Sequence, residues 1–156
     1  MPRAKENEIR AVCRNKSAFH DYFIEERFEA GLVLVGSEVK SLREGRADLK
    51  DAYGLIEGGE AFLVHMRISE WTGGTYFNHK PERRRKLLLH RKQIQKLKIL
   101  IDQRGYALIP LRVYFNEKNR AKVELAVARG KRKYDKREAI RERDERRAAQ
   151  REGDRH

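Results

Sequence analysis

The sequence predicts a mainly β protein, an antiparallel barrel of about six strands with short helices and a basic C-terminal tail. Apolar residues alternate with polar ones in several segments, which is typical of half-buried strands. Turns rich in Gly and Asn separate many of these segments, which favours hairpins. From Arg129 onward the composition changes, and only Tyr134 and Ile140 are large apolar residues. The chain therefore combines a domain able to bury a core with an extension that is not.

The first predicted strand covers residues 8–14, where three apolar residues share one face: Ile9, Ala11 and Cys13. Residues 15–17 offer capping groups for a short helix that ends near Asp21. Cys13 is the only cysteine of the chain, so the sequence predicts neither a disulfide nor a thiolate metal cluster. We expect it to be a small buried residue.

A long strand is predicted over residues 22–34, with its apolar face interrupted at Glu26, where we expect a bulge or a barrel rim. Gly36 and Ser37 then offer a cap for a helix that Gly45 ends. Helical spacing turns Val39 and Leu42 of this helix towards the core. It turns Lys40 and Arg43 away from the core.

Gly58 and Gly59 predict a hairpin between residues 51–57 and 60–68, and residues 70–77 read as a flexible connection. Pro81 disfavours helix and central strand, so residues 79–81 are expected to form an exposed loop. Four adjacent cations follow, which repel one another and are expected to face water or an anionic partner: Arg83, Arg84, Arg85 and Lys86.

After the short apolar run 87–89, a helix is predicted from Arg91 to its end at Gly105. Its apolar residues share one face and its lysines lie largely away from that face; the apolar residues are Ile94, Leu97, Leu100 and Ile101, and the lysines Lys92, Lys96 and Lys98.

Two further strands are predicted over residues 106–115 and 121–128, joined by a turn at 116–120. Each has one apolar face: Ala107, Ile109, Leu111, Val113 and Phe115 in the first, and Ala121, Val123, Leu125 and Val127 in the second. Lys122 and Glu124 then face outward. Pro110 must lie at an edge or a bulge because it cannot donate to the ladder.

These strands predict an OB-like barrel over residues 1–128, because closure buries alternating strands without a long exposed edge. An SH3-like barrel or an α+β sheet remains open as an alternative. Residues 129–156 form the basic tail, which is expected to be disordered alone because it cannot bury enough apolar surface. Its helix formers, and pairs such as Glu142 with Arg146, suit it to becoming helical on a polyanion.

The chain carries 37 Lys and Arg against 24 Asp and Glu, a net charge of +13. This surplus indicates a polyanionic partner, either nucleic acid or an anionic membrane surface. No apolar run approaches the roughly 18 residues that a membrane helix needs, and no signal segment opens the chain, so a soluble, cytoplasmic protein without a membrane partner is expected. A small barrel with a basic stripe suits single-stranded or structured RNA better than the major groove of DNA.

The sequence contains no recognisable catalytic or metal-binding motif, and we expect neither metal nor cofactor. A metal-free ribonuclease that uses His20, Glu29 and His90 remains conceivable, because these groups suffice for acid–base chemistry. A structural ribosomal protein is a third hypothesis.

Several motifs, in the same order along the chain, resemble those of the SsrA-binding protein family, also called small protein B. They occupy residues 15–16 (NK), 20–25 (HDYFIE), 28–32 (FEAGL), 36–43 (GSEVKSLR), 85–90 (RKLLLH) and 130–137 (GKRKYDKR). The similarity spans nearly the whole chain. His90 stands where some members have asparagine.

The resemblance implies a non-enzymatic RNA-binding factor of trans-translation with an OB-like barrel. Such proteins bind the tRNA-like domain of transfer-messenger RNA and bring it, with elongation factor Tu and GTP bound through the RNA, to stalled ribosomes. The resemblance further implies that the tail enters the small-subunit decoding centre and the vacant mRNA channel, in place of a codon–anticodon interaction.

By the same resemblance, Glu29, Leu88 and Lys122 match positions linked to RNA binding, and His20 and His90 are neighbouring matches. Leu88 could equally be a core residue, since leucine in an apolar run usually is. The exposed cations complete the predicted RNA-binding set: Lys40, Arg43, Arg83, Arg84, Arg85 and Lys86. Asp135, Lys136 and Arg137 match a motif needed on the ribosome. The other predicted tail contacts are Lys131, Arg132, Lys133, Tyr134, Ile140 and Arg141.

Overall fold

The computed structural model of the chain describes residues 11–73 and 78–131. Within these ranges lie nine strands and three helices. The strands are β1 (Ala11–Arg14), β2 (Tyr22–Leu32), β3 (Ala47–Asp48), β4 (Tyr53–Glu57), β5 (Glu60–Val64), β6 (Arg67–Ile68), β7 (Arg85–Leu88), β8 (Ala107–Phe115) and β9 (Ala121–Gly130). The helices are α1 (Ala18–Asp21), α2 (Gly36–Arg43) and α3 (Arg91–Arg104).

Six antiparallel strands close into a ring in the order β4, β5, β7, β2, β9 and β8, with β8 pairing back to β4. Closure depends on the edge of β8 that does not pair with β9, because β4 and β1 each pair with a different part of this edge. Leu108, near its start, pairs with Gly54 of β4, whereas the later residues 112–114 pair with β1. The predicted OB-like barrel is confirmed. Because ring strands have neighbours on both sides, the structure avoids a long exposed edge.

The barrel core is aliphatic and draws on every wall of the ring. Its fully buried members include Leu63, Leu87, Leu108, Val123 and Leu125. Cys13 is buried, as predicted, and burial first, followed by the nearby Asp48 charge, raises the pKa of its thiol to about 11. The thiol is therefore protonated near neutral pH and is poorly suited to nucleophilic or metal chemistry.

Two bulges set the direction of the side chains in the long strands. The predicted bulge near Glu26 is confirmed by a register shift between Ile24 and Glu26. A second shift, between Pro110 and Arg112, confirms the expectation for Pro110. It also makes the single apolar face predicted for residues 106–115 wrong, since an extra residue inverts the alternation.

The second bulge divides β8 between two cores. Val113 and Phe115 pack with the barrel core, together with Leu108. Ile109 and Leu111 instead pack outside the barrel beneath α1, in a smaller cluster with Ala18, Ala126 and Ala128. This second core fixes α1 on the outside of the β8–β9 hairpin.

The helices and turns largely follow the predictions. The apolar face of α3 packs on the barrel, and Gly105 ends the helix with φ of 67°. Gly58 and Gly59 both have positive φ in the β4–β5 turn, and Asn119 does so in the β8–β9 turn. The cap of α2 differs from the prediction: Val35, not Gly36 or Ser37, precedes the helix, and its backbone N–H donates to Glu38 Oε1 at 2.9 Å.

Gly54 leaves the space that Leu108 needs where β4 meets β8. A Cβ atom at residue 54 would lie 2.2 Å from Leu108 Cδ2 and 2.9 Å from its Cβ. We expect Gly54→Ala to lower the free energy of unfolding by about 1–3 kcal/mol, the usual cost of overpacking a core. Gly36→Ala is the matched control, because nothing lies within 4 Å of its added Cβ. Equal urea midpoints for the two variants would contradict this account.

Some predictions concern residues outside the described ranges, namely 8–10, the connection 74–77 and the tail beyond Lys131. β9 runs to Gly130 and so includes the first two residues of the predicted tail, Arg129 and Gly130. None of the helices in the described part of the chain is long and apolar enough to cross a membrane.

Candidate nucleic-acid interface

The sequence predicted an exposed loop over residues 79–81, before β7. This prediction is wrong for one of the three residues. His79 is only 6% exposed. Its Nε2 lies 2.8 Å from the carbonyl oxygen of Ile68, to which it donates, and its Nδ1 lies 2.9 Å from the Ser37 hydroxyl. The imidazole therefore joins this loop to β6 and to the start of α2.

Arg85 is the main correction to the predicted cationic cluster. Its side chain is completely buried, as is that of Glu38 on α2. Arg85 Nε donates to Glu38 Oε2 at 2.5 Å, and its terminal nitrogens donate to the carbonyl oxygens of Met66 and Pro81. A guanidinium so enclosed is not available to RNA, because it is fully buried and each of its three nitrogens already donates to a partner within the protein.

Glu38 binds two arginines at once. Arg83, about one third exposed, donates to its Oε1 at 2.6 Å, and Arg85 donates to its Oε2. Burial alone would raise the pKa of Glu38, but hydrogen bonds from Arg83 and the Val35 N–H and the charge of Arg85 lower it below its usual value. The carboxylate is thus charged near neutral pH and holds α2 against β7.

The other two cations of the cluster are exposed but paired. Arg84 donates to Glu57 and lies with its guanidinium 4.3 Å from the centre of the Phe62 ring. Lys86 lies 3.1 Å from Glu60. Exposed pairs of this kind contribute little to stability and can exchange their partner for a phosphate.

A groove of about 660 Å³ brings together five of the predicted RNA-binding residues from separate elements: Glu29 on β2, Lys86 and Leu88 on β7, Lys122 on β9 and His90 at the start of α3. Leu88 is 55% exposed and is therefore not a core residue, whereas its neighbour Leu87 is 1% exposed and fills the core. We call this cavity the first groove.

Residues of β8 and β9 hold the Glu29 side chain in place. The Tyr114 hydroxyl donates to Glu29 Oε2, and Lys122 Nζ lies 3.9 Å from Oε1. Burial and then the hydrogen bond to Glu29 raise the pKa of Tyr114, so the hydroxyl keeps its proton and remains a donor. The Glu29 side chain is still about half exposed and has capacity to accept further hydrogen bonds.

The remaining predicted residues lie away from the first groove. His20 is on α1, with a 91% exposed side chain 3.0 Å from Asp21. Lys40 and Arg43 lie over aromatic rings, of Trp71 at 4.2 Å and of Phe115 at 4.3 Å. Because His20 does not line the groove that Glu29 and His90 share, the three groups considered for a ribonuclease do not converge.

Two important residues were missed by sequence reasoning. Arg85 lies two residues before the buried Leu87 on one strand, so the period of two already placed it on the inner face. The run of four adjacent cations at 83–86 led instead to the prediction that Arg85 is exposed. Tyr114 was missed because the bulge at Pro110, whose exact position the sequence does not reveal, decides which way it points.

No group of three or more metal-binding side chains occurs within residues 11–73 and 78–131. At the end of β9, Lys131 donates to the Phe19 carbonyl oxygen at 2.9 Å, and Arg129 pairs with Glu25 at 2.7 Å. These contacts fasten the last described residues, from which the tail continues, to α1 and β2.

Comparisons with known proteins give consistent results. The model of the SmpB protein family matches residues 12–155. The SsrA-binding protein of Leifsonia xyli subsp. xyli is 55% identical over 148 residues, covering 95% of this chain and 93% of the relative. That of Syntrophobacter fumaroxidans is 56% identical over 140 residues, covering 90% and 86%. A solved chain described as "tmRNA-SmpB: a journey to the center of the bacterial ribosome" has a TM-score of 0.65 and 45% identity, covering 82% of this chain and 93% of its own.

Proposed function

Since this chain belongs to the SsrA-binding protein family, and is thus an RNA-binding factor of trans-translation and not an enzyme, we propose that its first groove holds the tRNA-like domain of transfer-messenger RNA. The observation that carries the proposal is the convergence of Glu29, Leu88 and Lys122. They come from three strands far apart in sequence and line one groove.

The three side chains offer complementary contacts to a folded RNA. The Lys122 ammonium can pair with a phosphate, and the Glu29 carboxylate can accept hydrogen bonds from base amines or 2′-hydroxyls. Leu88 offers an exposed apolar surface to a base. Lys86, His90 and Arg91 line the same groove and add donors towards the backbone. This arrangement recognises RNA by its shape and backbone.

Leu88→Ala tests the groove without disturbing the core. Because Leu88 is 55% exposed, we expect its truncation to change the free energy of unfolding by less than about 0.5 kcal/mol. Affinity for the tRNA-like domain should fall roughly tenfold, as for an interface residue that contributes more than about 1 kcal/mol. Filter binding and urea unfolding measure the two effects.

Leu87→Ala provides the matched control on the same strand. Leu87 is 1% exposed, so its truncation should cost about 2–5 kcal/mol of stability. At temperatures where both variants are folded, its RNA affinity should stay close to that of the wild type. If Leu88→Ala binds as tightly as the wild type, the first groove is not the RNA site.

The tail supplies the second part of the proposed mechanism. Residues 131–141 would enter the decoding centre and the vacant mRNA channel of the stalled ribosome, with Asp135, Lys136 and Arg137 making essential contacts. The body would meanwhile stay on the RNA, through which elongation factor Tu and GTP are joined indirectly. The protein would act in the cytoplasm, where it would meet stalled ribosomes.

A further inference from the structure

A second groove, of about 340 Å³, lies directly beside the first groove. Gly31, Leu88 and Lys122 line both cavities, so Leu88 forms a ridge between them. Gly31 lets the Leu88 side chain lie close to the backbone of β2, since a Cβ at residue 31 would be 3.0 Å from the Leu88 Cβ. An RNA strand in the first groove would reach the second by passing only residues that the two cavities share.

The second groove differs from the first in its chemistry. Its floor is apolar, with contributions from Val33, Leu34, Val39, Phe115 and Ala121. Its polar rim consists of Asn119, Arg120 and Lys122. None of the described residues that line it is acidic, whereas Glu29 and Glu60 line the first groove. An apolar floor beside two cations suits a flat base attached to a phosphate.

The groove is already organised in the absence of a ligand. The Arg43 guanidinium lies 4.3 Å from the centre of the Phe115 ring and restricts its orientation. Asn116 Oδ1 accepts hydrogen bonds from the backbone N–H groups of Lys118 and Arg120, which holds the β8–β9 turn in one shape. The turn presents Arg120 at the rim, and Arg120 forms no ion pair with any residue in the described parts of the chain.

We propose that the second groove binds one unpaired nucleotide of the RNA held in the first groove, with its base on the apolar floor and its phosphate between Arg120 and Lys122. Leu88 separates this base from its neighbour, as apolar wedges do at base steps. The inference rests on the proposed function of the first groove. Continuity through Leu88 and the cationic rim favours RNA over a protein segment as the occupant. The cavity lies near the lower end of the volumes of ligand sites, which suits one nucleotide and not a helix.

Val33→Asp tests the floor of the second groove. Val33 is 42% exposed, and its backbone N–H donates to the Lys86 carbonyl oxygen, a bond that the substitution retains. A carboxylate there should repel the phosphate and draw water onto the apolar floor. We therefore expect affinity for the tRNA-like domain to fall roughly tenfold or more, which is the range for one lost stacked base. Val35→Asp adds the same charge at a similarly exposed residue outside the groove. It should reduce affinity less than Val33→Asp does, because Val35 lies outside the groove and its exposed carboxylate would stay in water and not be buried against the base.

Chemical footprinting of the bound RNA supplies a second, independent readout. At least one unpaired base of the RNA should be protected from the chemical probe in the wild-type complex. The same base should become reactive in the complex with Val33→Asp and stay protected in the complex with Val35→Asp. Arg120→Gln should lower the slope of log affinity against log salt by about 0.7, as for one lost contact to an unpaired strand.

The two levels of the proposal fail in different ways. If Val33→Asp and Val35→Asp bind alike and give the same footprint, while Leu88→Ala still binds weakly, the second groove is empty and the first groove stands. If Leu88→Ala also binds like the wild type, the proposed function of the first groove fails as well.

Discussion

Replacement of Arg85 by methionine is expected to lower the free energy of unfolding by about 3–5 kcal/mol, the usual cost of leaving a buried charge without its partner. Glu38 would keep Arg83, which is partly exposed, but would lose the fully buried guanidinium. The carbonyl oxygens of Met66 and Pro81 would lose their donors too. Urea unfolding monitored by circular dichroism measures the change.

Arg84→Met is the matched control, since Arg84 is the next residue back and pairs with Glu57 at the surface. We expect it to cost less than about 1 kcal/mol, as for exposed ion pairs. Glu38→Met combined with Arg85→Met should be more stable than Arg85→Met alone, because the buried carboxylate that lost the Arg85 guanidinium is then removed as well. Equal destabilisation by Arg84→Met and Arg85→Met would contradict the role assigned to the buried pair.

The same carboxylate predicts sensitivity to acid. The pKa of Glu38 is lower in the folded protein than its ordinary value of 4.5. Its contribution to stability is therefore present above that value and is lost as the pH falls through the lowered pKa. Glu38→Gln should be less stable than the wild type at neutral pH and should lose less stability on acidification below pH 4.5.

A chain that ends after Lys131 is expected to bind transfer-messenger RNA within about threefold of the full-length protein and to lose tagging on stalled ribosomes entirely. The proposed binding groove is formed by the barrel, whereas every proposed ribosomal contact except Lys131 lies beyond residue 131. The end point follows from the structure. Gly130 pairs with Tyr22, and Lys131 donates to the Phe19 carbonyl oxygen, so a cut at 128 would also remove barrel contacts.

Two controls separate the tail sequence from its charge. A full-length chain with residues 132–156 in scrambled order keeps net charge and length, and should bind the RNA but fail in tagging. Alanine at Asp135, Lys136 and Arg137 together should do the same. RNA affinity is measured by filter binding, and tagging by translation in vitro of a message without a stop codon. If truncation after Lys131 reduces RNA affinity and tagging equally, the division of work between barrel and tail is wrong.

The stability and binding predictions concern adjacent residues of one strand. β7 carries Arg85 and Leu87 inward and Leu88 outward, so its inner side chains join the buried ion pair and the core, and Leu88 lines the proposed RNA groove. The Glu38–Arg85 pair fixes where β7 lies relative to α2 and, through the backbone, where Leu88 stands between the two grooves. We therefore expect Arg85→Met to weaken RNA binding more than Arg84→Met does, even where both are folded.

The sequence alone determined the features that depend on local periodicity and on composition. Alternation predicted β2, β8 and β9, helical spacing predicted α3, and the glycines at 58, 59 and 105 predicted their turns, because each signal arises from residues close in the chain. Motif order and basic charge indicated the family. Only the tertiary structure decided that Arg85 and His79 are buried, that Leu88 is exposed, and that β8 changes face at Pro110. The burial of Arg85, for example, depends on partners 19 and 47 residues away, Met66 and Glu38. No local pattern reveals whether a distant carboxylate will meet a buried cation, since only the closed barrel brings the two together.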